Sequence, residues 1–395
     1  MGLYTDKAHI LGRDQKFFVE EEVTPGTFVV ATATGGANVI KSSFSPKINR
    51  KDRIDSYLAS RDVIERITGK SEHSWELEAF LVPSGSLTTP TKPDLASFFK
   101  SLFGTETDTP ATSVAFSQSA GQTKTLLSLT RHFNSLYQES MWGAWVDSMT
   151  INANGGDEPK VKFQGGAMGY GSTGYGVTGA GLSGSEVAVV VTAANIRNFE
   201  VGSVIQVGTS VGAGSVGHKV TAVDTATYTL TITPAIVGAQ NSGVAVIPYV
   251  PTHTDTGSPI TGITGSLSLD AWTANSIPVT SFELTYNDGL KPFRDEAYVQ
   301  NVSDVLGGMR SITGKIGMRF RQDAIVHYLK RSAFAAHTLS VILGTGTATK
   351  FTIAMSYLEL EYVPVEIPEA DEGALNFNFK ALGSSGNDAI TLTMT

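Results

Sequence analysis

A short motif that occurs twice is the strongest constraint on the fold of this 395-residue chain. Ile-Thr-Gly-Lys begins at Ile67 and again at Ile312, which are 312 − 67 = 245 residues apart. A strand-like run and a long polar loop, at 49–62 and at 287–307, precede the copies, and a helix candidate and several strands follow each. Because a fixed order of several elements is the signature of an internal repeat, the sequence predicts a duplicated unit.

Each copy is predicted to close with a strand, an acidic turn containing glycine, and a second strand. The two strand pairs are expected at 144–153 with 160–168 and at 351–363 with 374–382. This recurrence of whole elements supports a duplication more strongly than a match of four residues does.

Each copy is also predicted to contain one helix. After Pro93, apolar residues recur at helical spacing, and Gly104 is the expected C-terminal stop. The apolar stripe consists of Leu95, Phe98, Phe99, Leu102 and Phe103. It predicts a helix packed on a sheet, not a cofactor site. The second helix is expected at 322–335.

The predicted fold class is mainly β, with two β-sandwich or half-barrel domains at residues 1–170 and 260–395, each with one flanking α-helix. The 41 glycines and few charged residues favour many short strands with tight turns. Residues 177–250 differ from both neighbours because they carry only five charged side chains, and five short strands are expected there. This segment is predicted to be a small all-β barrel or sandwich inserted between the repeats.

Composition excludes several kinds of chemistry. The chain has no cysteine, so disulfides and thiolate metal sites are impossible, and its formal net charge of −8 argues against tight nucleic-acid binding. Gly69-Lys70-Ser71 lacks the upstream glycine of a phosphate-binding loop, and the seven histidines lie scattered. We therefore expect no enzyme, no cofactor and no metal site. The sequence also contains no apolar stretch of about 18 residues, so no membrane anchor is predicted.

Two loops with charges of both signs are the best candidates for contact surfaces. Charged residues in each loop alternate with aromatic and aliphatic ones, a composition typical of protein interfaces. The candidates in the first loop are Arg50, Lys51, Asp52, Arg53, Asp55, Tyr57 and Arg61. Those in the second loop are Lys291, Arg294, Asp295 and Tyr298. Their recurrence in both copies favours an interface over a solvated loop.

The first copy resembles the tail tube protein of long-tailed (siphovirus-like) bacteriophages. The resemblance rests on the segments 20–27 (Glu-Glu-Glu-Val-Thr-Pro-Gly-Thr) and 43–46 (Ser-Phe-Ser-Pro), and on the strand at 75–78 with its helix. It also rests on the closing hairpin, from Gly143 through the Gly-Gly-Asp-Glu-Pro turn to Gly165. The second copy, at residues 260–395, matches more loosely, and the inserted segment at 177–250 is not part of the shared core.

The resemblance implies a structural virion protein whose inner strands join those of its neighbours into a continuous tube wall. Such tubes commonly have six tube domains per ring, so three chains with two domains each would close a pseudo-hexameric homotrimer. The partners implied are further copies of the chain and the tape measure, tail terminator and tail tip proteins. DNA would pass through the lumen without specific binding. The protein would be made in the bacterial host cytoplasm and located in the virion tail.

Lumen-facing positions are expected on the inner strands. Glu76 and Glu78 alternate suitably in the first copy, and Glu359 and Glu361 in the second. Their charge would repel the phosphates of passing DNA. The alternative function is another phage tail structural protein, a tail-tip or hub protein or a receptor-binding component, which would share the β-rich, cysteine-free composition.

Overall fold

Alternation of apolar and polar residues produces strands through most of the chain. The structure is a computed structural model, and it describes residues 15–52, 66–83, 92–110, 112–119, 124–212, 214, 216–253, 257–260, 265–270, 279–293, 302–319, 337–345, 349–361 and 373–395. Its contacts divide the chain into two units. Unit 1 contains Met1–Asn38, Leu126–Ala144 and Ala167–Thr254, and unit 2 contains Val39–Thr125, Trp145–Gly166 and Asp255–Thr395.

The described part of the chain before residue 174 forms strands and one α-helix. The strands are β1 (Gln15–Glu21), β2 (Gly36–Ala37), β3 (Lys41–Ser45), β4 (Ile48–Asp52), β5 (Arg66–Ser71), β6 (His73–Phe80), β7 (Gly104–Thr109), β8 (Ser113–Gln118), β9 (Leu127–Phe133), β10 (Tyr137–Asn154), β11 (Lys160–Ala167) and β12 (Gly169–Thr173). The helix α1 (Ala96–Phe103) lies between β6 and β7. The predicted helix after Pro93 and the first closing hairpin are therefore confirmed.

The inserted segment folds into a six-stranded sheet within unit 1. Its strands are β13 (Gly176–Val177), β14 (Ala188–Val190), β15 (Val204–Val207), β16 (His218–Asp224), β17 (Thr229–Thr233) and β18 (Ala245–Pro248). The order is β13-β18-β15-β16-β17-β14, and an antiparallel bridge between Thr178 and Val191 joins its two ends. The sheet therefore closes on itself around its own apolar core, which includes Ile205, Val220, Leu230 and Val246.

The last part of the chain forms strands that belong to unit 2. They are β19 (Gly265–Leu269), β20 (Val279–Asn287), β21 (Lys291–Phe293), β22 (Asp304–Leu306), β23 (Ser311–Arg319), β24 (His337–Leu343), β25 (Phe351–Glu361), β26 (Ala374–Ala381) and β27 (Thr391–Met394). The second closing hairpin is thus confirmed as β25 and β26. The helix expected at 322–335 lies outside the described residues.

One large sheet dominates unit 2. Its described ladders run in the order β3-β6-β11-β10-β20-β23-β26-β25, where β10 contributes its C-terminal part. The ladder between β10 and β20 extends from Ser148 opposite Asn287 to Asn154 opposite Ser281. It joins strands of the first sequence copy to strands of the second without interruption.

The same six ladders occur in both halves of the chain, in the same sequential order. In the first half they are β1·β9, β9·β10, β10·β12, β10·β11, β6·β11 and β3·β6. In the second half they are β19·β24, β24·β25, β25·β27, β25·β26, β23·β26 and β20·β23. A two-stranded hairpin also occurs at the same place in both halves: β4·β5 lies between β3 and β6 along the chain, and β21·β22 lies between β20 and β23.

The two Ile-Thr-Gly-Lys motifs do not occupy equivalent elements. The copy at Ile67 lies in β5, in the small hairpin, whereas the copy at Ile312 lies in β23, in the large sheet. The position of a strand in a sheet depends on its alternation of apolar residues and on its ladder partners. Four identical residues therefore do not determine which strand they belong to. From the sequence alone, residues 37–44 are expected to form one strand, but in the structure β2 ends at Ala37 and β3 begins at Lys41.

Helix α1 packs its aromatic stripe against strands of unit 2. Phe98, Phe99, Leu102 and Phe103 are fully buried. The ring of Phe99 lies 5.2 Å from Phe163 in β11 and 5.9 Å from Phe351 in β25. Each buried aromatic side chain contributes roughly 2–3 kcal/mol of transfer free energy. The helix ends at Gly104, whose φ of 91° is the left-handed conformation typical of a C-terminal cap.

Candidate assembly surfaces

The large sheet of unit 2 has one apolar face and one polar face. In β6, Trp75, Leu77 and Ala79 are buried, and the glutamates between them point to the opposite face. The same alternation in β10 buries Met149 and Ile151. We call the side opposite these buried residues the polar face.

All four glutamates predicted to face a lumen lie on the polar face. Gln164 contacts Glu76, and it also stands opposite Ser148, which stands opposite Asn287. Glu359 lies in the adjacent row, two residues along the strands. That row runs from Lys162 in β11 through β10, β20, β23 and β26 to Glu359, and residues opposite each other in a ladder share a face. Glu78 and Glu361 follow two positions along their strands, so they have the same orientation. The structure thus places glutamates that are nearly 300 residues apart in the chain on the same face of one sheet.

Glu76 forms two polar contacts on this face. Lys162 Nζ lies 3.0 Å from one carboxylate oxygen, and Gln164 Nε2 donates to the other at 3.0 Å. These two interactions lower the pKa of Glu76 below its usual value, the contact with Lys162 being the larger cause. Because both partners are about one-third exposed, the pair contributes at most about 1 kcal/mol.

Two of the other three predicted glutamates also stand opposite lysines. Glu78 stands opposite Lys41, and Glu359 stands opposite Lys380. Between them, uncharged residues form a row in which Thr150, Thr285 and Thr313 face one another on successive strands. The polar face is therefore a mixed surface of paired charges and threonines, not the purely acidic one that the glutamates alone suggest.

The two predicted contact loops start on the small hairpins. Arg50 and Asp52 lie on β4 and are exposed, Lys51 lies between them, and Lys291 is exposed at the start of β21. The remaining candidates lie outside the described residues. They are Arg53, Asp55, Tyr57 and Arg61 in the first loop and Arg294, Asp295 and Tyr298 in the second. The second hairpin also carries exposed apolar side chains: Phe293 is 53% exposed and Leu306 is 45% exposed.

A buried ion cluster supports the second hairpin, and sequence reasoning missed it. Asp288, between β20 and β21, forms ion pairs with Lys124 and with Arg310, whose Nε lies 3.1 Å from its Oδ1. Arg310 also donates to the carbonyl of Ser119 at 2.7 Å. The Asn-Asp-Gly sequence at 287–289 is typical of a turn. However, Lys124, the ion-pair partner of Asp288, lies 288 − 124 = 164 residues away. No local pattern connects the two.

Asp147 ties the same turn to β10. Its backbone carbonyl accepts from the N–H of Asp288 at 2.8 Å, and its Oδ1 accepts from the N–H of Leu290 at 2.9 Å. Burial raises the pKa of Asp147, and the neighbouring Asp288 adds to this increase, while the hydrogen bond from Leu290 opposes it. The hairpin β21·β22 is thus fixed at its base by both backbone and side-chain contacts.

In unit 1, Glu22 fixes the turn that follows β1. Its carboxylate accepts hydrogen bonds from the N–H of Gly26 at 2.7 Å, the N–H of Gly143 at 2.6 Å and the hydroxyl of Ser128 at 2.8 Å. Gly143 has a φ of 57°, which favours glycine, at the irregularity between β9 and β10. Burial raises the pKa of Glu22, and the three hydrogen bonds oppose this shift. These contacts give a structural role to the Glu-rich segment at 20–27.

Comparison with known proteins identifies the family. Among the described residues, no helix is long and apolar enough to cross a bilayer, and no group of three or more His, Asp or Glu side chains could hold a metal ion. No curated protein matches the chain. A sequence model of the family described as phage tail tube protein matches residues 12–395, nearly the whole chain. This chain therefore belongs to the phage tail tube protein family and is a structural component of phage tails.

Proposed function

We propose that this chain polymerises into stacked rings that form the tail tube of a siphovirus-like phage, the conduit through which DNA is ejected. The single observation that carries the proposal is the continuous sheet of unit 2, in which eight strands from both sequence copies follow one another. A wall built from many copies needs strands that continue from one tube domain to the next, and this sheet has that property within one chain.

The recurrence of six ladders in the same order supports a duplicated tube domain. Each half supplies four strands to the large sheet: β3, β6, β11 and β10 from the first, and β20, β23, β26 and β25 from the second. If a ring holds six such sets, three chains complete it as a pseudo-hexameric homotrimer. Closure into a ring also removes sheet edges, which otherwise promote aggregation.

The polar face is the surface that would line the lumen. Glu76, Glu78 and Glu359 stand beside lysines, and Glu361 stands opposite Asn378. Threonines occupy the row between them. Tight DNA binding requires an excess of Lys and Arg that releases counterions from the phosphates. A surface of paired charges and hydroxyls offers no such excess, so DNA would slide past it without specific binding.

The small hairpins would mediate axial contacts between rings. Both project charged and apolar residues from the ends of corresponding strands, namely Arg50 and Asp52 on one hairpin and Lys291 and Phe293 on the other. The partners would be further copies of the chain along the tube, with the tail terminator and tail tip proteins at its ends and the tape measure protein inside it. The protein would be made in the host cytoplasm and incorporated into the virion.

Electron microscopy of the concentrated protein, with its mass measured by light scattering, tests the proposal. We expect hollow filaments, or rings with a mass of three times 41.8 kDa. A closed trimer that never stacks would favour a tail-tip or hub protein instead. A particle whose mass is not a multiple of three chains would contradict the trimeric ring.

A further inference from the structure

The large sheet contains one junction between the two sequence copies, and this junction has a defined register. Met149 in β10 stands opposite Tyr286 in β20, and the next pair is Thr150 opposite Thr285. Met149 and Tyr286 are both 0% exposed. We call this ladder the internal seam.

A residue equivalent to Met149 occurs in β25, the last strand of the sheet order. Met149 stands opposite the buried Phe163 in the closing hairpin β10·β11. In the equivalent hairpin β25·β26, Leu360 stands opposite the buried Phe379. Leu360 therefore occupies the position in the second copy that Met149 occupies in the first.

A residue equivalent to Tyr286 occurs in β3, the first strand of the sheet order. Tyr286 is the last aromatic residue of β20, and it stands opposite Ile312 in β23. Phe44 is the last aromatic residue of β3, and it stands opposite Trp75 in β6. Both precede a two-stranded hairpin. Phe44 is therefore the counterpart of Tyr286.

Among the described strands of the sheet, β3 is first in the order and the C-terminal part of β25 is last. We propose that β25 of one copy of the chain pairs antiparallel with β3 of the next copy, in the register of the internal seam. This places Leu360 opposite Phe44 and Glu361 opposite Ser43. The proposal rests on the proposed function, and it defines which residues of two neighbouring chains meet in the ring.

Exposure and charge support this intermolecular seam. Phe44 is 9% exposed and Leu360 is 8% exposed, whereas their counterparts in the internal seam are 0% exposed. Pairing with a second copy would remove this remaining apolar exposure. On the polar face, Glu361 would have Lys41 as a diagonal neighbour, and opposite charges at diagonal positions lie within reach of long side chains.

An engineered disulfide tests the register, because the natural chain has no cysteine. The test variant is Ser43→Cys with Glu361→Cys, oxidised at high protein concentration and separated on a non-reducing gel. We expect covalent dimers and closed trimers whose linked peptides contain positions 43 and 361. The matched control is Ser45→Cys with Glu361→Cys, where the α-carbons would be two residues out of register and beyond the limit of about 7 Å for a disulfide.

A second control shows whether this ladder geometry permits a disulfide at all. Thr150→Cys with Thr285→Cys is the equivalent pair in the internal seam, and we expect it to close within one chain. If this pair closes and the 43–361 pair gives no intermolecular product, the proposed seam is wrong. Preferential cross-linking of the 45–361 control would also overturn the register.

Microscopy of the unsubstituted chain separates this inference from the proposed function. Rings or filaments without 43–361 cross-links would leave the tube in place and remove this seam. A chain that forms neither rings nor cross-links would contradict both. Cross-linked trimers together with rings would support both.

Discussion

Lys124 and Asp288 form an ion pair in which both side chains are almost completely removed from solvent. Lys124 is 4% exposed and Asp288 is 2% exposed. The pair anchors the turn that leads into the hairpin β21·β22, together with Arg310 and Asp147. A charge buried this deeply is tolerated only while its partner remains.

Replacing Asp288 with Ala should therefore destabilise unit 2 strongly. The substitution leaves Lys124 buried without its counter-charge, which costs about 3–5 kcal/mol in free energy of unfolding. Urea unfolding followed by tryptophan fluorescence measures the loss. The control is Asp108→Ala in β7, where the side chain is exposed and the expected change lies within about 0.5 kcal/mol. Equal midpoints for the two variants would show that the buried pair is not needed.

The small hairpins should control stacking without affecting the ring itself. Because Arg50 in β4 and Lys291 in β21 are exposed, replacing both with Ala removes charge without creating a cavity. We expect the unfolding midpoint and the ring mass to stay unchanged, while filaments become several-fold shorter in electron micrographs. Arg197→Ala, at an exposed position in the short 3-10 helix between β14 and β15 of the inserted segment, is the matched control and should leave the filament length unchanged. Normal filaments from the double variant would assign the axial contacts elsewhere.

Local patterns predicted the helix and the closing hairpins, because these elements depend on neighbouring residues. The apolar stripe from Leu95 to Phe103 and the C-terminal cap of the helix at Gly104 lie within ten consecutive residues, and the structure shows both. Ladder partners are different. Met149 and Tyr286 are 286 − 149 = 137 residues apart, and the inserted sheet lies between them in the chain. Their pairing follows from the arrangement of two whole copies, which no short pattern encodes.

The repeat itself was found through a motif whose copies are not equivalent. Ile67 and Ile312 suggested the duplication, yet the structural recurrence lies in the order of ladders and in pairs such as Phe44 with Tyr286. Strands tolerate substitution wherever the alternation of apolar residues is kept. Two copies can therefore keep their topology while few identical residues remain. Lys124, the buried partner of Asp288, could not be predicted either, because the two residues are far apart along the chain.

Chemical labelling should locate the polar face in the assembled tube. Thr313 is exposed at the centre of this face, so Thr313→Cys introduces the chain's first thiol there with little change in volume. In filaments, we expect reaction with a small maleimide but at least tenfold slower reaction with a maleimide attached to a large polymer. Ala226→Cys, in an exposed turn of the inserted sheet, should react with both reagents at similar rates. Equal access of the polymer reagent to both thiols would place the polar face outside.

Acid should weaken unit 1 through His132. This side chain, in β9, is 1% exposed, and neither ring nitrogen has a hydrogen-bond partner among the described residues. Burial lowers the pKa of His132 to about 3, and the nearby charge of Lys16 contributes to the shift. The native state therefore keeps the imidazole neutral, while the unfolded state binds a proton near pH 6.5.

The sign of the pH dependence follows from this difference. Below pH 6.5 the unfolded state binds more protons than the native state, so stability falls as the pH falls, down to about pH 3. Between pH 6.5 and 5 the loss is about 2 kcal/mol. In His132→Leu this contribution disappears, so the unfolding midpoint should depend less on pH over that range. Phe18→Leu is the control, because the Phe18 ring lies 5.5 Å from His132 but does not titrate. It should lower the midpoint at every pH and keep the wild-type slope, whereas an unchanged slope in His132→Leu would assign the acid sensitivity to other groups.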